Sequence, residues 1–280
     1  MVRQYGILGW PVAHSLSPLM QEAAFRHCGL PARYERIAVR EAELAECVGR
    51  LRREGWSGWN VTVPHKEAIV ALLDEVAPEA LALRSVNTVA NRDGRLVGCS
   101  TDGHGLAMAL GEAFGIALPG LRIVFVGAGG AVRAVAGHLA KLGVAEMRFL
   151  NRTRDRAETL AADVRKLGQP CQTAAFSLDD PAALEGIDLV VQGTSLGLHD
   201  DDPLPIDPGA IPLQVPVFDM IYRETPLLKA VRHRGGRAAD GAGMLLHQGA
   251  LAFEFWTGRP APLEVMRAAL EEARRQAAAR

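Results

Sequence analysis

The sequence predicts an α/β protein built as two domains, on three grounds. Strand-like and helix-like segments alternate from the N-terminus, the alternation starts afresh at a glycine-rich junction near Gly127, and 280 residues exceed one typical domain of about 150. YGILGWP opens with an apolar strand-like run and stops at a Gly-Trp-Pro turn, and SPLMQEAAFRHCGL follows with helical character. ARYERIAV returns as a second strand, EAELAECVGRLRREG as a second helix ending at Gly55, and GWNVTVP as a third strand. The order strand, helix, strand, helix, strand points to a largely parallel sheet. The next run, EAIVALLDEV, has helical apolar spacing and places Lys66 near a first helical turn. Unpaired N–H groups and the helix dipole favour anions there, so this lysine stands against its local preference. SVNTVANRDGRLVGCSTDG predicts a hairpin about an Asn-Arg-Asp-Gly turn, before a helix that begins near Gly103.

The second cycle runs from LRIVFVGAGGAVRAVAGHLAKLG, a strand passing through glycines into a helix, to the strand MRFLNRT. IDLVVQGTS and VPVFDMIY are further strands, separated by the acidic, proline-rich LHDDDPLPIDP. This second α/β domain spans roughly Leu106 to Asp240. Two helical stretches follow, around MLLHQGALAFEFWTG and PLEVMRAALEEARRQAAAR, and periodicity alone does not say where they pack.

Composition excludes several classes. With 49% hydrophobic and 22% charged residues the chain is an ordinary globular protein, not a disordered one. The 31 basic and 32 acidic residues balance to a net charge of −1, so neither nucleic acid nor an anionic membrane is an expected partner. Cys28, Cys47, Cys99 and Cys171 are scattered without a CxxC pair, which argues against a zinc site or a disulfide framework and for a reducing compartment. No secretory h-region and no apolar stretch of about 18 residues is present, so the cytoplasm is the expected location.

In VFVGAGGAVRA, Gly127, Gly129 and Gly130 sit where a buried strand turns into a helix. Such a loop lets backbone N–H groups approach a pyrophosphate, which makes Gly127, Ala128, Gly129, Gly130 and Ala131 candidates for dinucleotide binding. Val132 stands where the usual fingerprint has its third Gly or Ala, and close helix packing is the alternative use of these glycines. The following strand exits through Asn151-Arg152-Thr153-Arg154-Asp155-Arg156. It lacks the terminal carboxylate that would repel a 2′-phosphate, and its arginines can pair with one, so NADP is favoured over NAD. A helix capped by Thr153 with solvated arginines is the alternative.

Taken in order, SLS (Ser15 to Ser17), NVTVPHK, SVNT, STDG, GAGGAVRA, NRTRDR, GTSLG, DMIY and DGAGMLLHQ followed by AFEFWTG resemble the shikimate dehydrogenase family, over nearly the whole chain. The resemblance implies an α/β protein whose two domains flank a cleft: a substrate domain formed by residues 1–105 and 241–280, with the C-terminal helices returning to it, and a Rossmann-like NADP-binding domain at 106–240. It implies NADP(H)-dependent interconversion of shikimate and 3-dehydroshikimate, in chorismate and aromatic amino acid biosynthesis. Lys66 matches the family's catalytic lysine and Asp102 its acidic partner. Moving a hydride also requires a proton to reach or leave oxygen, so a positioned acid/base suits the reaction; a purely electrostatic role for Lys66 is the competing reading.

The resemblance further assigns Ser15 and Ser17 to the substrate carboxylate, and Thr62, Asn87, Tyr222 and Gln248 to the hydroxylated ring. Read alone, these residues have ordinary uses: Ser17 as a helix cap before Pro18, Asp102 as a cap or turn residue, Thr62 in strand packing, Asn87 in a turn. Met220 and Gly241 match positions near the nicotinamide, and Thr194 and Ser195 are further cofactor contacts. Arg84-Ser85 replaces the usual Gly-Ala, Ser100 and Gln192 each replace an Asn, and Tyr222 to Pro226 is shorter than in many relatives. A member preferring quinate, or a non-catalytic dinucleotide-binding protein, are the alternatives. A monomer or homodimer without a metal is expected.

Overall fold

The computed structural model describes residues 2–278, which divide into two compact α/β units. One comprises the chain up to Gly105 together with that from Leu245 onward, and the other is Leu106–Met244.

In the first unit the chain runs through β1 (Arg3–Gly9), α1 (Ser17–His27), β2 (Ala32–Ala38), α2 (Leu44–Arg53), β3 (Gly58–Val61), β4 (Glu75–Val76), α3 (Pro78–Ala82), β5 (Thr88–Arg92) and β6 (Arg95–Cys99). It leaves through α4 (Asp102–Phe114). The sheet order is β2-β1-β3-β5-β6-β4. β1 pairs in parallel with β2 and β3, whereas β5 is antiparallel to both β3 and β6. The sheet is therefore mixed, not largely parallel, because the hairpin adds itself directly to β3. Asp93 and Gly94 form its turn with φ of 54° and 89°, the two positive values that a tight, right-twisted hairpin needs. This topology brings the ends of β1, β3 and β6 and the start of β5 to one edge of the sheet.

The helix expected over EAIVALLDEV is replaced by a short 3-10 turn, Ala68–Leu72, followed by β4. Ile69 still buries in the core with Leu51, Trp59, Val86, Val89 and Leu96, so the apolar spacing reports burial. Asp74 then accepts from the Leu96 N–H at 2.7 Å and from Arg52 at 2.6 Å, and Glu75 and Val76 pair with β6. Sheet pairing has overridden a helical pattern.

In the second unit come β7 (Arg122–Val126), α5 (Gly130–Lys141), β8 (Glu146–Leu150), α6 (Arg154–Arg165), β9 (Gln172–Phe176), β10 (Leu189–Gln192), β11 (Val217–Asp219), α7 (Pro226–His233) and β12 (Ala238–Ala239). Every pairing is parallel, in the order β12-β11-β10-β7-β8-β9. Read from β9, this is the doubly wound order 3-2-1-4-5-6, with its switch point between β7 and β10. Strands buried on both faces account for apolar runs such as Ile123 to Val126 and Leu189 to Val191.

α8 (Ala242–Thr257) crosses from the second unit into the first, and α9 (Leu263–Ala278) packs on α1. Phe25 stacks on Tyr5 and lies against Phe253, while Trp256 lies against Tyr5 and donates to the Val89 carbonyl at 2.9 Å. The last helices thus complete the first unit's core.

Candidate active site

Lys66 lies in the turn after β3 and Asp102 opens α4. Their Nζ and Oδ2 atoms are 2.8 Å apart, with side chains only 17% and 7% exposed. The Lys66 turn is held from two sides. The Lys66 carbonyl accepts from the Val86 N–H at 2.9 Å, and the buried His65 ring donates from Nε2 to the Val39 carbonyl at 2.7 Å.

Beside this pair is a closed hydrogen-bond network. Asn87 Oδ1 accepts from the Thr101 N–H and the Thr88 hydroxyl, each at 2.9 Å, and its Nδ2 donates to Thr101 Oγ1 at 2.9 Å and Gln248 Oε1 at 3.4 Å. The longest of the four is the one a ligand hydroxyl would most easily replace. Asn60 supports Asn87 from β3: Nδ2 donates to the Asn87 carbonyl at 3.1 Å and Thr88 Oγ1 at 3.0 Å, while Oδ1 accepts from Tyr34 at 2.6 Å. Burial pushes the Tyr34 phenol well above its ordinary value and keeps it a donor. Sequence reading missed Tyr34, Asn60, Thr88 and Thr101. The one available signal was an asparagine inside the apolar strand GWNV.

Ser15 and Ser17 lie at the start of α1. Leu16 occupies the cap position and Ser17 is already helical, so the expected Ser17 cap is absent; Ser15 Oγ accepts from the Ser17 N–H at 3.3 Å. Arg36 fixes this loop through the Ser15 carbonyl, at 2.6 and 3.0 Å. Thr62 follows β3, its N–H donating to the Leu8 carbonyl at 2.8 Å. Tyr222 lies in the other unit, between β11 and α7.

In the second unit, Gly127 follows β7 with φ of 106°, and an added Cβ would stand 2.9 Å from Thr194 Cγ2. Gly129 and Gly130 are exposed, and a Cβ on either would meet nothing within 4 Å. The first turn of α5 thus presents its N–H groups beside open space at the switch point, which fits a dinucleotide's phosphates. Val132, standing where the fingerprint has a small residue, is accommodated because residue 193 is glycine: a Cβ there would lie 2.4 Å from Val132 Cγ2.

The β8 exit is ordered by Asn151, whose Nδ2 donates to the Thr153 carbonyl at 2.8 Å. Thr153 occupies the cap position of α6 but its side chain makes no capping bond, contrary to the expected cap. Arg154 is tied to Glu158 at 2.9 Å, whereas among the described residues no ion pair engages Arg152 or Arg156. Thr194 and Ser195 follow β10, Met220 follows β11, and Gly241 precedes α8 with its would-be Cβ 2.2 Å from the Met220 carbonyl oxygen. No cluster of metal-ligating side chains exists among the described residues, nor is any of their helices long and apolar enough to cross a membrane.

One chain therefore carries a glycine turn open enough for dinucleotide phosphates and a sheltered lysine–carboxylate pair. Fold and site together define a dinucleotide-dependent oxidoreductase. Residues 7–89 match the shikimate dehydrogenase substrate binding domain, residues 110–197 the shikimate / quinate 5-dehydrogenase family, and residues 241–271 the shikimate 5'-dehydrogenase C-terminal domain. The chain belongs to the shikimate dehydrogenase family. It is 45% identical over 274 residues to the shikimate dehydrogenase (NADP(+)) of Symbiobacterium thermophilum, covering 95% of this chain and 93% of the relative. The crystal structure of shikimate dehydrogenase from Aquifex aeolicus superposes with a TM-score of 0.88 at 36% identity, over 96% of this chain and 97% of that one. That of Thermus thermophilus shikimate 5-dehydrogenase, in complex with NADP(H) and shikimate, gives 0.86 at 37% identity, over 97% and 99%.

Proposed function

We propose that this chain interconverts shikimate and 3-dehydroshikimate reversibly with NADP(H), a step toward chorismate and the aromatic amino acids. The observation that carries the reading is the half-buried Lys66 held 2.8 Å from Asp102. In the oxidation direction Lys66 takes up the proton of the reacting hydroxyl, and Asp102 orients Nζ. In reduction the same proton returns to the carbonyl oxygen. Ser15 and Ser17 hold the substrate carboxylate, and Thr62, Asn87, Gln248 and Tyr222 hold its hydroxyls, each able to donate or accept.

Bound NADP supplies the hydride acceptor. The N–H groups from Gly127 to Ala131 take the pyrophosphate, Asn151, Arg152, Thr153 and Arg156 the adenosine 2′-phosphate, and Thr194, Ser195, Met220 and Gly241 the nicotinamide half. The substrate domain is residues 1–105 and 241–280, and the NADP-binding domain residues 106–240. Four free cysteines support a cytoplasmic location, and the protein acts as a monomer or homodimer.

The test is nicotinamide absorbance after mixing purified protein with shikimate or quinate and NADP or NAD. Reduction of NADP by shikimate, faster than any other pairing, is expected. Turnover confined to quinate or NAD would make the chain a family variant, and no turnover by folded protein would refute the catalytic reading.

A further inference from the structure

Gln192, at the end of β10, is fully buried and its one amide serves two loops. Oε1 accepts from the Thr194 N–H. Nε2 donates to the Leu196 carbonyl at 3.0 Å, to Asp219 Oδ1 at 3.3 Å and more weakly to the Thr194 carbonyl at 3.4 Å. Its own carbonyl accepts from the Met220 N–H at 2.9 Å. Asp219, also fully buried, organises the second loop: Oδ1 accepts from the Ile221 N–H at 3.0 Å and Oδ2 from the Thr225 hydroxyl at 2.7 Å. The exits of two neighbouring strands, Gly193 to Leu196 and Met220 to Tyr222, therefore share a single amide.

We propose that Gln192 is a positioning residue for hydride transfer, locking these two loops in one register so that Thr194 and Met220 hold the nicotinamide half of the cofactor. The inference rests on the reading that those two residues meet the nicotinamide. A leucine there would leave the Thr194 N–H, the Leu196 carbonyl and one Asp219 oxygen short of a partner, and such losses are relieved by moving the loops. Asparagine is one methylene shorter, so from the same backbone position its amide reaches less far toward Leu196 and Asp219. The Asp219 carboxyl, pushed up to about 6 by burial, depends on these donors when it ionises.

The test compares Gln192→Leu and Gln192→Asn with the parent in kcat, KM for NADP and shikimate, melting temperature, and affinity for 2′,5′-ADP, which carries the 2′-phosphate but no nicotinamide. Gln192→Leu is expected to lower kcat at least tenfold while 2′,5′-ADP affinity stays within twofold, and Gln192→Asn to lower kcat less. Unchanged kcat and KM in both variants, even with a lower melting temperature, overturns the proposal. If the leucine variant does not fold, the asparagine variant decides by the same readouts. Met220→Ala separates the two readings. Parental kinetics there would sink the nicotinamide reading and the proposal with it, whereas a defect at Met220 with none at Gln192 would sink the proposal alone.

Discussion

At the edge of the first sheet the chemistry-bearing groups are side chains held by other side chains: Asn87 spends all four of its hydrogen-bonding positions inside the protein, and Lys66 is paired to Asp102. At the edge of the second sheet the opposite material is used, since the turn from Gly127 into α5 offers backbone N–H groups and empty space over Gly129 and Gly130. A polyhydroxylated ring needs donors and acceptors at fixed points, which only side chains locked by neighbours provide. A pyrophosphate needs close approach to a helix start, which side chains would obstruct. The two edges should therefore fail differently under mutation.

The largest effect is expected at Lys66. Lys66→Ala should lower kcat by about 10³-fold, within the range usual for a general acid/base. Affinity for NADP should be unchanged, because the cradle belongs to the other sheet. Parental turnover in a folded Lys66→Ala protein would remove Lys66 from the mechanism.

Next comes Asp219, the side-chain exception within the second unit. Burial pushes its carboxyl up to about 6, roughly two pH units above the ordinary value. The folded state thus prefers the protonated form, so this contribution to stability is complete below about pH 4 and is lost as pH rises through about 6. The amount is about 3 kcal/mol. Asp219→Asn should flatten the stability profile across that window and leave the variant more stable than the parent at pH 7, as read by denaturant titration. An unaltered slope would mean that the donors around Asp219 fully offset its burial.

The glycines probe the backbone edge. Gly127→Ala faces both a φ of 106° and a 2.9 Å approach to Thr194, and should cost about 2 kcal/mol in stability. Gly129→Ala has an ordinary φ of −86° and free space, so the melting temperature should hold while KM for NADP rises about tenfold. Equal behaviour of the two variants would erase the distinction between a structural and a ligand-facing glycine.

Much of this was legible in the sequence because it is written in local terms. A buried strand entering glycines, an Asp-Gly hairpin turn, and a lysine following NVTVPH need no distant partner to be noticed. The helix expected over EAIVALLDEV was misread because 3.6-residue spacing records which residues are buried, and Asp74 and β6 draw the backbone into a strand instead. Asn60, Thr101 and Gln192 were illegible as site residues for a related reason. Their value lies in partners 26 to 28 residues away along the chain, as in Tyr34 with Asn60 and Gln192 with Asp219, or 14, as in Asn87 with Thr101. A buried polar residue declares only that it needs partners, and the fold decides which.

The smallest effect tests a departure beside the first site. Arg84, where the resemblance leads one to expect glycine, has a φ of 49°, so the chain turns there through the left-handed region that glycine adopts without strain. Holding a non-glycine residue in it costs about 1–2 kcal/mol. Two terms oppose reversion. Glycine restores unfolded-state freedom worth about 0.5–1 kcal/mol, and the exposed pair of Arg84 with Glu67, at 3.3 Å, is worth little. Arg84→Gly should therefore stabilise the protein by about 0.5 kcal/mol, measurable as a small rise in the denaturation midpoint. Because Glu67 adjoins Lys66, the same variant reads whether the pair also influences the lysine. A shift in the pH dependence of kcat would extend the side-chain network outward to Arg84, whereas an unchanged profile would confine that network to Lys66, Asp102 and the Asn87 cluster.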